Sequence, residues 1–217
     1  KTVVDGSGAT DTLIAIEQVD GSANDDTFTG DDALSDTFYG NGGNDTLEYG
    51  TATAKIVADL ANSSLTDVNA NVDIVNGFEN INTGSGADTI DGTATANIIN
   101  AGAGADYIDG AAGDDTIYGG DDNDTLIGGL GDDSLDGGAG SDTVDYNLDG
   151  GAAGITVDLS AGGSAIVTDT HGDTDTLVGI ENIIATGLSD TFTGDNATAN
   201  VFDGLGGEDW VDQSADT

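Results

Sequence analysis

The sequence predicts an all-β fold, a parallel β-roll or β-solenoid of stacked nonapeptide repeats. Three observations lead to this prediction. Residues 83–145 divide without a gap into seven units of nine residues. Glycine accounts for 36 of the 217 residues, and proline is absent. Of the 42 acidic residues 37 are Asp, and the formal net charge is −40. Short regular units rich in Gly and Asp are typical of stacked turns, in which each unit packs on its neighbours.

Two positions of the nonapeptide are nearly constant. The sixth is Asp in six of the seven units, and the eighth is always aliphatic. The sixth positions are Asp88, Asn97, Asp106, Asp115, Asp124, Asp133 and Asp142, and the eighth are Ile90, Ile99, Ile108, Ile117, Leu126, Leu135 and Val144. The Gly-rich first six residues favour a turn, because Gly reaches positive φ without strain. The last three favour a short strand with one side chain directed inward.

Two units make one coil of 18 residues, so each inward side chain lies on the one two units later. One predicted row is Ile90, Ile108, Leu126 and Val144, and the other is Ile99, Ile117 and Leu135. The same stacking aligns Asp106, Asp124 and Asp142 on one edge, and Asp115 and Asp133 on the other. Unit charges about 4.8 Å apart repel by roughly 1 kcal/mol in water and by roughly 3–4 kcal/mol at an effective dielectric constant of 20.

A divalent cation between successive turns would turn this repulsion into attraction. Turn carbonyls outside the strand ladder would complete an all-oxygen coordination shell. Calcium suits such a shell better than magnesium, which demands a tight octahedron and keeps its waters. The residues therefore predict several Ca²⁺ ions as cofactor, bound along both edges of the roll.

Units 128–136 and 137–145 read GGLGDDSLD and GGAGSDTVD. Both match the pattern G-G-x-G-x-D-x-U-x, where U is a large apolar residue. The chain thereby resembles the RTX, or hemolysin-type, calcium-binding proteins. The resemblance implies a parallel β-roll with calcium between stacked turns, and secretion from a Gram-negative bacterium, usually through a type I system. It places the protein outside the cell or on the cell surface.

The candidate metal site consists of the sixth-position carboxylates and the turn glycines of the same units. These residues are Asp88, Gly102, Gly104, Asp106, Gly113, Asp115, Gly119, Gly120, Asp124, Gly128, Gly129, Gly131, Asp133, Gly137, Gly138, Gly140 and Asp142 in the continuous repeats, and Asp26, Asp36, Asp45, Asp190 and Asp209 in degenerate units. Some units depart from the pattern. Ala101 and Ala111 replace Gly, Asp122 replaces the fourth Gly, and Asn97 replaces the acid, so we expect its site to be weak or empty.

A longer repeat divides the chain into three modules, at 1–53, 54–150 and 151–217, which we expect to form one continuous solenoid. Its marker segments are DTLIAIEQV at 11–19, DIVNGFENI at 73–81 and DTLVGIENI at 175–183. Each contains one Glu, namely Glu17, Glu79 or Glu181, which either binds calcium or bonds local backbone. Nonapeptide rhythm is lost at 50–82 and 146–184, where we expect longer strands or hairpins to bulge from the stack.

Composition excludes several functions. Two Lys and no Arg provide no basic footprint for nucleic acid. Without Cys there is no thiolate nucleophile, and the single His171 rules out sites that need two histidines. The apolar runs are too short to span a membrane. No catalytic residue is predicted, because Asp pairs at a nine-residue period are better explained as calcium ligands than as acid and base.

The function predicted is that of a non-enzymatic, calcium-binding structural module of a large secreted or surface-attached bacterial protein, such as an adhesin, an S-layer protein or an extracellular fibre. The incomplete end modules lead us to expect a piece of a longer array, with further copies of itself as partners, end to end or laterally. One alternative is the carboxy-terminal calcium-binding and secretion region of a secreted hydrolase. A lesser alternative is the ice-binding region of an adhesin, for which the Thr-rich stretches at 51–53 and 93–95 are few.

Overall fold

The computed structural model describes residues 1–4, 8, 10–13, 16–30, 35–158, 164–193 and 201–212. Within these ranges every regular element is a β-strand. In the first half of the chain the strands are β1 (Thr2–Val4), β2 (Thr10–Thr12), β3 (Gln18–Asp20), β4 (Thr27–Thr29), β5 (Thr37–Tyr39), β6 (Thr46–Glu48), β7 (Val57–Asp59), β8 (Ser64–Thr66), β9 (Val72–Asn76), β10 (Asn80–Asn82), β11 (Thr89–Asp91) and β12 (Ile98–Ala103). In the second half they are β13 (Tyr107–Asp109), β14 (Thr116–Asp121), β15 (Thr125–Ile127), β16 (Ser134–Ala139), β17 (Thr143–Asp145), β18 (Thr156–Asp158), β19 (Ser164–Thr168), β20 (Thr174–Val178), β21 (Asn182–Ile184), β22 (Thr191–Thr193), β23 (Val201–Asp203) and β24 (Trp210–Asp212).

These strands form two facing sheets, and the chain alternates between them except at β1–β2, β7–β9 and β18–β20. One sheet has 13 strands in the order β2-β1-β4-β6-β10-β12-β14-β16-β20-β19-β18-β22-β24. The other has 11 strands in the order β23-β21-β17-β15-β13-β11-β7-β8-β9-β5-β3. From β10 to β17 successive strands fall in alternate sheets, and each pairs in parallel with the strand one coil later. The predicted all-β parallel roll is confirmed.

The two predicted rows of inward side chains form the core. In one sheet Ile90 pairs with Ile108, Ile108 with Leu126, and Leu126 with Val144. In the other sheet Ile99 pairs with Ile117, and Ile117 with Leu135. All seven side chains are completely buried. Three-residue strands are long enough to form this core, because one inward residue per unit fills the narrow space between the sheets at close packing.

The two stretches without nonapeptide rhythm contain antiparallel strands, but these do not bulge from the stack as expected. Strand β8 runs antiparallel between β7 and β9 within the 11-stranded sheet. Strand β19 runs antiparallel between β18 and β20 within the 13-stranded sheet. Inclusion in a sheet satisfies the backbone groups on both sides of each strand and buries Leu65 and Val167, which a protruding hairpin would leave in water.

The carboxy-terminal end of the roll is less buried than its middle. In the first module Phe28, Phe38 and Leu47 fill the core, as their register predicts. In the third module Phe192 is buried, but Phe202 is only partly buried and Val211, on β24, is 49% exposed. Val211 pairs with Phe192, as the repeat register predicts, but β24 is the last strand of its sheet in the described residues and leaves the side chain uncovered. The described sheets include strands from all three modules, while the boundaries at 53 and 150 stay predictions.

Candidate metal centres

The sixth-position side chains stack at the point where each turn enters its strand. Along one edge the Asp88 N–H donates to Asp106 Oδ1 at 2.6 Å, and the Asp106 N–H donates to Asp124 Oδ1 at 2.9 Å. The Asp124 N–H continues the series to Asp142 Oδ1 at 2.9 Å. Each carboxylate thus holds the turn of the preceding coil through one oxygen. These bonds form a continuous series through the four residues predicted for this edge.

The opposite edge repeats the arrangement. The Asn97 N–H donates to Asp115 Oδ1 at 2.7 Å, and the Asp115 N–H donates to Asp133 Oδ1 at 2.8 Å. The Asp133 N–H then donates to Asp175 Oδ1 at 3.0 Å. Sequence reasoning missed Asp175 and its counterpart Asp73, which accepts the Asp36 N–H. The available signal was their position as the first residue of the longer repeat.

Two of the three Glu residues of the longer repeat accept backbone N–H groups in the same way as the Asp residues. Glu79 Oε2 accepts the Asp45 N–H at 2.9 Å, and Glu181 Oε2 accepts the Asp142 N–H at 2.9 Å. Each takes the place that an Asp Oδ1 holds elsewhere in the ladder. Glu79 and Glu181 therefore bond the backbone of a neighbouring coil through one oxygen, while Glu17 is exposed; calcium binding by these residues stays a prediction.

The second carboxylate oxygen is where a metal ion fits. For eight of the predicted residues Oδ2 is buried and accepts no hydrogen bond: Asp36, Asp45, Asp88, Asp106, Asp115, Asp124, Asp133 and Asp142. A buried charged oxygen without a partner is costly, and native proteins rarely keep one without an ion or an ordered water. Eight such atoms at equivalent positions indicate a repeated site for a hard cation.

Most of these units share a backbone conformation, which we call the open turn; the unit of Asp88 does not, because neither Gly84 nor Gly86 has positive φ. An open turn has positive φ at the second position and, in most cases, at the fourth. The six units with both are those with Asn41 and Gly43, Gly102 and Gly104, Ala111 and Gly113, Gly120 and Asp122, Gly129 and Gly131, and Leu205 and Gly207. Unit 137–145 has it at Gly138 alone. Positive φ explains the Gly preference, since other residues are strained there by about 1–2 kcal/mol.

Three units instead have what we call a closed turn, in which the second residue is Ser or Thr. The second-position N–H donates to the sixth side chain: Ser22 to Asp26 Oδ2 at 2.6 Å, Thr93 to Asn97 Oδ1 at 2.8 Å, and Thr186 to Asp190 Oδ2 at 3.2 Å. The second-position hydroxyl accepts the N–H two residues on, at 3.1–3.2 Å in all three units. The oxygen that is free in open turns is therefore occupied in these.

Glycine is also favoured in these turns because a side chain would not fit. A Cβ added to Gly119, Gly128 or Gly137 would overlap the sixth-position carboxylate of its own unit. A Cβ on Gly140 would overlap the Asp122 carbonyl one coil earlier. The turn glycines predicted as part of the site are thus packed against the carboxylates or against the backbone of the neighbouring turn.

Burial changes the acidity of these carboxylates. Desolvation is the main cause, and it raises the pKa of Asp106 and Asp115 to about 7 and that of Asp133 to about 8. It raises the pKa of Asp124 to about 6. Neighbouring carboxylates add to the shift, while the donated backbone N–H groups oppose it. The charged form is therefore disfavoured in the folded chain unless a cation compensates for it.

The donor set suits calcium more than a transition metal. Among the described residues no three His, Cys, Asp or Glu side chains converge on one point. Each centre offers one buried carboxylate oxygen per coil, so most ligands must be backbone carbonyls and water, the oxygen-only shell that Ca²⁺ accepts. When bound, calcium supplies the positive charge that the paired edges lack. The assignment of individual ligands stays a prediction.

Comparison with known families supports this interpretation. A family model of the RTX calcium-binding nonapeptide repeat matches the chain in four copies, at residues 20–51, 82–117, 109–144 and 118–151. The matches include the open turns of the first and second modules. No curated protein gives a significant match. In the described part of the chain, no helix has the length and apolar character needed to cross a membrane.

Proposed function

Because this chain is an RTX-repeat protein, we propose that it is a calcium-dependent structural module of a large secreted or surface-attached bacterial protein, such as an adhesin, an S-layer protein or an extracellular fibre. The repeat family is structural rather than catalytic. The observation that carries the proposal is the row of buried Oδ2 atoms without a partner, repeated along both edges of the roll.

Calcium acts here as a folding switch. Without it, folding brings carboxylates of like charge together and removes them from water, and both effects disfavour the folded state. With calcium, the binding free energy is added to the free energy of unfolding, because the unfolded chain offers no formed site. Extracellular calcium modules bind at about 10⁻⁴–10⁻³ M. A chain of this kind stays open at low cellular calcium and folds outside a Gram-negative cell.

Circular dichroism of the whole chain at neutral pH tests the switch. We expect a disordered spectrum after calcium is removed with EGTA, and a β spectrum when calcium is restored. Magnesium at the same concentration is the control and should restore little, because Mg²⁺ keeps its waters and needs octahedral geometry. A β spectrum that survives EGTA unchanged would refute calcium-dependent folding.

We also propose further copies of the chain as partners. Within the described residues β24 pairs only with β22, and it exposes Trp210 and Val211. An open strand edge and adjacent apolar side chains favour strand-to-strand association. Native mass spectrometry in calcium should show oligomers that the edge substitution Val211→Lys reduces. Monomers alone at high protein concentration would exclude this partner.

A further inference from the structure

The two antiparallel insertions have the same architecture. In the insertion β7–β9 the Tyr49 hydroxyl donates to Asp73 Oδ2 at 2.7 Å. In the insertion β18–β20 the Tyr146 hydroxyl donates to Asp175 Oδ2 at 2.9 Å. Each of these Asp residues also accepts a backbone N–H from a sixth-position Asp. The insertions can therefore be compared residue by residue.

The turn before the last strand of each insertion is built around one Asp. Asp67 Oδ1 accepts the N–H groups of Asn69 and Asn71, both at 2.9 Å. Asp169 Oδ1 accepts three N–H groups, from His171 and Gly172 at 2.8 Å and from Asp173 at 2.9 Å. Both Asp side chains are buried. Their first oxygens therefore have the same structural role.

The second oxygens differ. Asp67 Oδ2 accepts the Asn71 amide at 3.0 Å. The residue at this place in the other turn is Asp173, which has no amide to donate. Asp169 Oδ2 has no hydrogen-bond partner although its side chain is fully buried. The His171 ring nitrogen lies 3.8 Å away, beyond hydrogen-bond distance, and its nearer partner is the Thr170 hydroxyl at 3.0 Å.

A second carboxylate occurs in this insertion where the other has a methyl group. The N–H of Ala52 donates to the Tyr49 carbonyl, and the N–H of Asp149 donates to the Tyr146 carbonyl. Both oxygens of Asp149 are buried and have no partner. Burial, followed by the charge of Asp169, raises the pKa of Asp149 to about 8. A Cβ added to Gly151, two residues after Asp149, would overlap Thr170, the neighbour of Asp169. The three carboxylate oxygens without partners therefore lie on two adjacent segments outside the nonapeptide turns.

We propose that Asp149 and Asp169 bind an additional divalent cation of the calcium class, at a site that the nonapeptide pattern does not encode. The donors are carboxylate oxygens, and the ring nitrogen of His171 already contacts Thr170, so an oxygen-seeking ion is favoured over zinc. No third acidic or His side chain completes the cluster among the described residues. Backbone carbonyls, the Thr170 hydroxyl and water remain to fill the shell, as calcium permits.

Counting bound ions tests the site. Equilibrium dialysis with radioactive calcium at neutral pH should give one ion fewer per chain for Asp149→Ala than for the natural chain. The Asp149 side chain makes no hydrogen bond, so its truncation removes none. An unchanged ion count would overturn the proposal. A higher melting temperature for Asp149→Ala than for the natural chain in saturating calcium would also overturn it. That rise is expected if Asp149 and Asp169 only repel each other or share a proton, because the substitution then relieves an unfavourable contact.

The other insertion provides a matched control. Asp169→Asn and Asp67→Asn keep the oxygen that accepts the turn N–H groups. The hydrogen bonds of the turn should therefore be weakened to a similar extent in both variants. Only Asp169→Asn should lose an ion, and a loss in both or in neither contradicts the site. Should Asp169→Asn fail to fold, the count for Asp149→Ala decides. The open-turn variant Asp124→Asn reports the calcium switch separately, so a failure of this site can be distinguished from a failure of the proposed function.

Discussion

Two neighbouring turns on one edge of the roll differ in conformation, and we expect them to differ in calcium binding. Units 92–100 and 110–118 are stacked, with Ile99 paired to Ile117 and the Asn97 N–H bonded to Asp115. In the closed turn Thr93 bonds to the sixth side chain. In the open turn Ala111 has φ of +75° and Asp115 Oδ2 has no partner. The same strand geometry thus carries two turn conformations.

In most units the turn conformation follows the residue at the second position more closely than the acid at the sixth; the unit of Asp88 is the exception, because Gly84 has no positive φ. Asp26 and Asp190 are acids, yet their turns are closed, because Ser22 and Thr186 each supply a hydroxyl that accepts the N–H two residues on and so holds the turn in which their own N–H bonds to the acid. Ser and Thr hydroxyls compete in this way for nearby backbone groups. Of the carboxylates predicted as ligands, these two are therefore expected to bind calcium more weakly than those in open turns.

Acidification of the calcium-free chain should give the largest effect, because it acts on all open turns together. The pKa of Asp115 and Asp133 is raised to about 7 and 8, so between about pH 4 and pH 8 the folded state holds more protons than the unfolded state. The free energy of unfolding therefore falls as pH rises through this window, and it is greatest near or below about pH 4. Circular dichroism of protein freed of calcium on a chelating resin should show more β structure at about pH 4.5 than at about pH 8.

Calcium should reverse this slope, because protons compete with the ion for the same oxygens. In saturating calcium the melting temperature should fall on acidification. The double variant Asp115→Asn, Asp133→Asn should flatten the calcium-free slope, and the exposed Asp121→Asn should not. A calcium-free chain that is more ordered at high pH than at low pH would contradict the raised pKa values.

Gly120→Ala should give the largest loss for a single substitution in the comparison. Gly120 has φ of +119°, and a Cβ there would overlap the Gly102 carbonyl of the preceding coil. Backbone strain of about 1–3 kcal/mol and overpacking of about 1–3 kcal/mol both apply. Urea unfolding in saturating calcium should show a loss of about 2–4 kcal/mol. Thr93→Ala, at the same position of a closed turn, should lose about 1 kcal/mol or less, the value of its hydroxyl contact.

Much of this comparison, and of the fold, could be predicted from the sequence. The rows of Ile90 and Ile99 follow from a strict nine-residue period, since stacking leaves only one neighbour for each inward side chain. The places of β8 and β19 could not be predicted, because a three- or five-residue strand does not specify its neighbours. The site at Asp149 and Asp169 combines residues 20 positions apart without a repeat to mark them. Closed turns were readable in principle from Ser22, Thr93 and Thr186.

Asp124→Asn should have a smaller effect than Gly120→Ala, because it preserves the turn. Asn keeps an oxygen for the Asp106 N–H, which Asp124 accepts at 2.9 Å, but it removes the charge that attracts calcium. We expect the calcium concentration at the folding midpoint to rise roughly tenfold, or about 1.4 kcal/mol. A calcium titration followed by circular dichroism measures it. Asp121→Asn removes the same charge from an exposed position and should leave the midpoint nearly unchanged, and equal shifts in both would refute a specific role for Asp124.

Conversion of the closed turn into an open one should have the smallest effect on stability and gives the sharpest distinction. The triple variant Thr93→Gly, Thr95→Gly, Asn97→Asp recreates the sequence GGAGAD in a coil that already stacks on an open turn. If the second position controls the site, this variant binds one more calcium ion per chain than the natural protein. Asn97→Asp alone binds no additional ion, because the Thr93 N–H still occupies the carboxylate oxygen. Equilibrium dialysis separates these outcomes. An extra ion in Asn97→Asp alone would show that the sixth-position acid is sufficient, and the open and closed turns would then differ in shape without differing in function.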